Sequence, residues 1–355
     1  MSKVLLFEFL HVHAKAYVEA SPSMRSEGWE MLEAVATDLA ALPDVSVSVI
    51  VCPQASREVP QLSGVELLLT EALGIPEFTL DATTNGPFDV VVPIAPETDG
   101  VLAALVEAFR SHGQRVIVPS AKTIGIGTDK WKMFQHLQQH GVPTIPTWRA
   151  SDVFLWSADG EQTSSVFSNN SHVVIKPVDG AGCDAIIRCK SCDLAESLSS
   201  MRSTTRRILQ PLIDGRPWSV GCIGRGKNRS PLVLPPAQQN IEWQTDSSCD
   251  RPIYRGGTIG AELPPPSRQS LHRLMNRLLD VVYVEQGYVG IDLLRCSGNS
   301  NEEWLVTEIN PRLCTSYVGY RKAAKFNLAG VLLGFCDSDT ELWNEIPTSL
   351  FCKKA

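Results

Sequence analysis

Two carboxylates interrupt the most apolar stretches of the last third of the chain: Asp292 within "VGIDLL" and Glu308 within "WLVTEI". Both stretches read as strands joined across the polar "CSGNSN", which places the two acids in one hairpin. An unpaired carboxylate in such surroundings is costly, so a fold containing this hairpin has to supply positive charge to it. Asp292 and Glu308 can project from neighbouring strands onto one face, with Asn310, two residues beyond Glu308, pointing the same way. Two carboxylates and an amide oxygen are hard ligands suited to Mg²⁺, or Mn²⁺, shared with phosphate oxygens. Arg312, another two residues on, adds a fixed positive charge to the same edge. A solvated face ending in an asparagine-proline turn is the plainer alternative, and it leaves the apolar neighbours of both acids unexplained.

A second stretch, "VVIKPVDGAGCD" at residues 173–184, runs from a buried-looking strand into Lys176 and then a loop containing Gly180, Ala181 and Gly182. The lysine precedes the glycines, the reverse of a P-loop. A lysine at a strand end followed by a glycine loop can lay backbone N–H groups over phosphates while the ammonium acts as a point charge. Lys130, at the start of a helix in "GTDKWKMF", can reach the same phosphates. Taken singly, each lysine reads as a surface residue; together with the carboxylate hairpin they suggest a nucleotide site.

The 355 residues are 43% hydrophobic, enough for a core divided over two or three lobes. The net charge of −7 comes without a basic block, so nucleic acid is not an expected partner. No apolar stretch is long enough to span a bilayer, and the amino-terminal run turns polar too early for a signal peptide, so a membrane is not expected and a cytoplasmic location is. Whether the chain forms a homo-oligomer stays open. The ten cysteines are scattered, and most are expected to be reduced and buried. Cys189 and Cys192 make a CxxC, but no second pair accompanies it, and its role stays open.

Residues 1–119 alternate strand and helix. Strands are expected at 4–9, 45–51, 89–94 and 115–118, with helices around 24–39, 60–73 and 101–109. This pattern predicts a doubly wound α/β domain with ligand loops, residues 11–25 among them, at the carboxyl ends of the strands. Residues 120–210 read as a small α+β lobe with a helix over 129–140, a short edge strand in "VPTIPTW", further strands at 173–176, 185–189 and 207–210, and a helix over 194–201. Residues 211–355 read as a larger lobe. It includes a hairpin around "GRGKNRS", a flexible loop at 254–266 expected to border the acceptor site, a helix at 269–285, and the carboxylate hairpin.

The ordered set "DK" at 129–130, "GVPTIPTW" at 141–148, "IKPVDGAG" at 175–182, "ILQPLIDGRPWSV" at 208–220, "GIDLL" and "TEINPR" resembles the ATP-grasp superfamily over residues 120–335. The resemblance implies a Rossmann-like preATP-grasp domain followed by a two-lobed α+β ATP-grasp fold that holds ATP between its lobes. It implies that Lys130 and Lys176 hold the phosphates under the 179–183 loop, and that Gln210, Pro211, Leu212 and Ile213 form the hinge beside adenine. Asp292, Glu308 and Asn310 match the magnesium ligands, and Arg312 matches an arginine that steadies the transferring phosphoryl group. Pro217 stands where the family usually has an acid for the ribose, and Asp214 is the candidate replacement.

The implied reaction joins a carboxylate to an amine through an acyl phosphate. The runs "LLFEFLHVH", "SPSMRSEGWEMLEAVATDLAAL" and "NPRLCTSYVGYR" resemble tyramine–glutamate ligases of methanofuran synthesis and their bacterial relatives, implying glutamate and tyramine, or a related amine, as substrates. Arg25, Arg255 and Arg321 are candidates for an amino-acid carboxylate, and Glu8, His11 and His13 for the amine. A small-molecule kinase and a non-catalytic ATP-binding module are the alternative readings.

Overall fold

The computed structural model describes residues 1–69, 88–153, 167, 171–180, 182–183, 185–201, 206–246, 249–296, 303–336 and 349–352. The amino-terminal region is built on strands β1 (Ser2–Glu8), β2 (Val45–Val51), β3 (Val65–Leu69) and β4 (Val90–Ile94). They form a wholly parallel sheet in the order β3-β2-β1-β4. The last five residues of β1 and all five of β4 are buried, as expected for strands covered on both faces by helices. The expected strand at 115–118 contributes one parallel bridge, Val116 to Val91.

Two expectations for this region are corrected. Residues 60–73 were expected to be helical, but Val65–Leu69 is an edge strand, entered through Gly64 at φ 73°; residues 70–73 lie outside the described residues. A short apolar run is ambiguous by periodicity, and the open edge of β2 decides the matter by supplying a parallel partner. Residues 11–25 were expected to form a loop, yet they belong to the helices Phe9–Val12, Ala14–Glu19 and Pro22–Ala40. The polar residues there are caps: Glu8 accepts from the His11 N–H, His13 Nδ1 from the Ala16 N–H and Ser21 Oγ from the Met24 N–H.

The second sheet has eleven strands: β5 (Trp148–Arg149), β6 (His172–Pro177), β7 (Ile187–Lys190), β8 (Arg207–Pro211), β9 (Gly215–Ile223), β10 (Leu232–Val233), β11 (Ala237–Asp246), β12 (Cys249–Ile259), β13 (Tyr288–Cys296), β14 (Trp304–Asn310) and β15 (Ser349–Cys352). Its main path runs β14-β13-β9-β11-β12-β7-β6-β8-β5, with β10 on β9 and β15 on β12. The small lobe, β5 to β8, meets the large lobe through one antiparallel bridge between Arg188 of β7 and Asp250 of β12. The flexible loop expected at 254–266 is corrected: residues up to Ile259 lie in β12. Its glycines serve close packing, since a Cβ on Gly257 would fall 2.5 Å from the Gln238 carbonyl oxygen.

A helix over Ala121–Thr128, not anticipated from the sequence, packs against β14 through Gly127. A Cβ there would stand 2.6 Å from Pro311 Cδ and 2.7 Å from the Ile309 carbonyl oxygen, whereas Gly125 in the same helix has open space. The Gly127→Ala change is expected to destabilise the fold by about 1–3 kcal/mol through overpacking beside the strand that carries Glu308. Gly125→Ala is expected to be neutral or stabilising by up to about 1 kcal/mol, because only chain entropy changes. Denaturation midpoints of the two variants measured side by side check the contrast.

Candidate active site

The cations that the hairpin requires arrive from the small lobe. Asp129 caps the helix Lys130–Gln139, its Oδ1 accepting from the Trp131 and Lys132 N–H groups at 3.0 Å, which fixes Lys130 at the first helical position. Lys130 is 3% exposed; its Nζ lies 2.9 Å from Glu308 Oε1 and donates to the Gly180 carbonyl at 2.5 Å. The glycine loop is thereby tied to the carboxylate hairpin by one ammonium. Gly180 sits where a Cβ would come within 2.3 Å of Pro177 Cγ, and Gly182 and Cys183 adopt left-handed backbone at φ 67°. Ala181 lies outside the described residues.

Across the cleft, Asp292 and Glu308 are direct cross-strand partners and Asn310 pairs with Gly290, as the alternation of the strands requires. Asn310 Nδ2 donates to Asp292 Oδ2 and Gln239 Nε2 to Asp292 Oδ1, each at 3.0 Å. Burial, with the Glu308 charge, pushes the Asp292 carboxyl up to about 7. Burial also opposes ionisation of Glu308, but Lys130 and Lys176 outweigh it and hold that carboxyl below its usual range. Burial lowers Lys176, and the Glu308 charge offsets part of that. Arg312 Nε donates to Glu97 Oε2 at 2.7 Å; this contact outweighs burial and keeps the guanidinium firmly charged.

Lys176, Gly182, Gln210 to Asp214, Pro217, Ser219, Gln239, Asp292, Glu308, Asn310 and Arg312 all line one cavity of about 610 Å³. Most predicted phosphate, hinge and metal residues are thus brought together; Lys130 reaches the cluster through Glu308, and Gly180 is off the lining, joined to it through Lys130. Gln210 is oriented by donating to Thr147 Oγ1 at 2.9 Å, and the Leu212 N–H donates to the His172 carbonyl. The predicted substrate residues are not brought to the cavity lining. Glu8 and His11 pair with each other, Nδ1 to Oε2 at 2.5 Å, while buried under the first sheet. Arg25 stacks on Tyr17 beside Glu58, Arg255 pairs with Glu242, and Arg321 pairs with Asp38.

Tyr254, at the start of the stretch expected to border the acceptor, lines the cavity, which also holds residues the sequence did not single out: Glu27, Arg188, Ser219, Gln239 and Trp243. Glu27 accepts from Thr315 Oγ1, a contact between the first helical region and the chain just past the carboxylate hairpin. Tertiary packing gathers them from the helix Pro22–Ala40, from β7, from β9 and from the β11–β12 hairpin.

An ATP-grasp domain model matches residues 127–316, and a pre ATP-grasp 3 domain model matches residues 83–124. The chain belongs to the ATP-grasp family. No curated protein matches it in sequence. Among solved structures it is similar to an ATP-grasp superfamily protein from Archaeoglobus fulgidus, with a TM-score of 0.65 and 19% identity over 98% of this chain and 91% of that one. It is similar to L-amino acid ligase from Bacillus licheniformis, with a TM-score of 0.60 and 16% identity over 94% of this chain and 73% of the other. D-alanyl-alanine synthetase A from Vibrio cholerae matches with a TM-score of 0.62 and 11% identity over 94% and 93% of the two chains. These likenesses carry the ATP-grasp fold, an α/β parallel-sheet domain ahead of a curled antiparallel sheet.

The ATP-grasp cavity fits a divalent cation with phosphates on two observations. Asp292 and Glu308 are half-buried side by side as mutually repelling acids, and Ser219 Oγ, cross-strand from Asp292, is buried with no hydrogen-bond partner among the described residues. No cluster of three or more His, Cys, Asp or Glu side chains able to hold a metal occurs among the described residues, so two acids and Asn310 leave positions for phosphate oxygens and water.

Because the folded-state carboxyl of Asp292 titrates near 7 rather than at the ordinary 3.8, the folded chain keeps a proton that the unfolded chain releases between those values. Stability therefore falls as pH rises through this window. In nucleotide-free buffer with chelator, the melting temperature of Asp292→Asn relative to wild type is expected to shift in favour of the variant between about pH 4 and about pH 8. Thermal melts across that range test the sign; a difference independent of pH contradicts the assignment.

Proposed function

We propose that the protein is an ATP-dependent, ADP-forming carboxylate–amine ligase that works through an acyl phosphate, with glutamate as the activated acid and tyramine or a related amine as the acceptor. The observation that carries the reading is the convergence of Lys176, Arg312, Asp292, Glu308 and Asn310 on one cavity, with Lys130 bound to Glu308 behind them. Lys130 and Lys176 hold the phosphates. The Pro211 carbonyl and Ile213 N–H meet adenine, and Asp214 takes the ribose in place of the acid that Pro217 replaces. Asp292, Glu308 and Asn310 would hold the divalent cation, which when bound neutralises phosphate charge.

In the first step a carboxylate oxygen attacks the γ-phosphorus and the bond to the bridging oxygen breaks, releasing ADP. Arg312, aimed by Glu97, offsets the charge on the transferring group. In the second, the amine nitrogen attacks the acyl carbon and phosphate leaves. Glu27 holds the incoming ammonium and takes the proton it loses on becoming a nucleophile; the second proton leaves with the phosphate. Two features support the substrate classes. Ile241 pairs with Tyr254 and Trp243 with Pro252, so one face of the β11–β12 hairpin offers the cavity an apolar, partly aromatic wall suited to an aryl amine. Arg188, the lining guanidinium away from the phosphate cluster, is assigned the free carboxylate of the acid.

A phosphate-release screen of amino acids crossed with amines is expected to yield ADP and phosphate only when both are present, and to be strongest with glutamate and an aryl amine. ATP turnover with an alcohol and none with acid plus amine refutes the ligase reading. Asp292→Asn is expected to lower turnover at least ~100-fold without loss of folded protein. Glu27→Gln is expected to raise KM for the amine about 10-fold or more while leaving KM for ATP unchanged, since one charge-assisted contact is lost.

A further inference from the structure

The CxxC at Cys189 and Cys192 does not act as a pair in the fold. Cys189 lies within β7, 5% exposed, with Val173 of β6 on one side. Cys192 lies beyond the strand end in the short turn Ser191–Asp193, exposed, its thiol directed to Asp193 Oδ1 at 3.2 Å. The cysteine that faces Cys189 is a distant one. The bridge between Arg188 and Asp250 is antiparallel, so the next position along β7 and the preceding one along β12 oppose each other, and these are Cys189 and Cys249.

Side chains alternate along a strand, and the two faces are used differently here. Arg188 lines the cavity, with its guanidinium on Asp250 at 2.5 and 2.9 Å and 4.6 Å from the Trp243 ring centre. Cys189 therefore points to the other face. It belongs there to the small-lobe core with Val173, Ile175 and Leu209, and half-buried Cys249 packs against that core. Directly opposed residues of an antiparallel pair have Cα atoms about 4.5–5.5 Å apart, inside the roughly 4.4–6.8 Å range that a disulfide spans.

We infer that Cys189 and Cys249 form a thiol–disulfide modification site that locks the β11–β12 hairpin, and with it one wall of the cavity, to the small lobe. The reaction partner is a low-molecular-weight disulfide. The sulfur of Cys249, the more exposed of the two, attacks one sulfur of the reagent and expels the other half as a thiolate. The sulfur of Cys189 then displaces the second half and closes the Cys189–Cys249 bond. Two thiols are oxidised, one disulfide is reduced, and the two protons pass to the released thiolates. The bond sits beside the bridge between β7 and β12, with Arg188, Asp250 and Trp243 on the opposite face, and makes that junction covalent. This inference stands independently of the reaction catalysed in the cavity.

The test is native full-length protein treated with oxidised glutathione, then digested without reduction and analysed by mass spectrometry. A linked peptide pair containing Cys189 and Cys249 is expected, retained in Cys192→Ser and absent in Cys249→Ser. Hydrogen exchange of amides in residues 241–254 is expected to slow at least about tenfold on oxidation and to recover on reduction, because hairpin opening is blocked. A Cys189–Cys192 disulfide, an unresolved glutathione adduct on Cys249, two thiols that stay free, or a link that leaves exchange unchanged overturns the inference.

Discussion

Lys130 and Glu308 meet at 2.9 Å where neither charge would be tolerated alone, and the rest of the site is arranged around that contact. The lysine stands at the start of a capped helix on the small-lobe side, and the glutamate on β14, the outer strand of the large-lobe hairpin. Their attraction draws the lobes over a common cavity and also fixes the glycine loop through the Gly180 carbonyl. The two acids of the hairpin take opposite characters as a result. Glu308, between two ammonium groups, is held ionised, while burial and the Glu308 charge raise Asp292 toward neutrality against the hydrogen bonds it accepts from Gln239 and Asn310. The pair is incomplete as a charge distribution, which is the physical sense in which it is a site.

Much of this was legible in the sequence because burial and charge conflict openly there. An aspartate in "VGIDLL" and a glutamate in "WLVTEI" demand partners, and Lys130 and Lys176 are credible ones because each sits at an element start or end. The opposition of Asp292 and Glu308 followed from strand alternation, and the structure has them in direct register. Glu27, Arg188, Ser219 and Gln239 were hidden for the converse reason. None carries a charge conflict as open as that of the two acids, and each becomes notable only when tertiary packing brings it to the cavity.

The fold errors have an equally specific origin. Polar residues between 11 and 25 suggested a loop, whereas His13 and Ser21 cap the helices that follow them, so polarity marked helix starts. In the 254–259 stretch, glycines suggested mobility but permit close backbone approach within a paired strand. In Val65–Leu69 the apolar spacing fitted two periods, and a free sheet edge selected one of them.

The contact of Arg312 with Glu97 bears on how this protein can change over evolutionary time. The guanidinium belongs to the chain just past β14 and the carboxylate that aims it to the chain following β4, with its other oxygen, Oε1, buried and unpartnered among the described residues. The amino-terminal region is therefore a gauge that sets the angle of a group it does not itself carry. Exchanging that region between related chains would transplant a fold while detuning its chemistry, so the two parts are constrained to diverge in step.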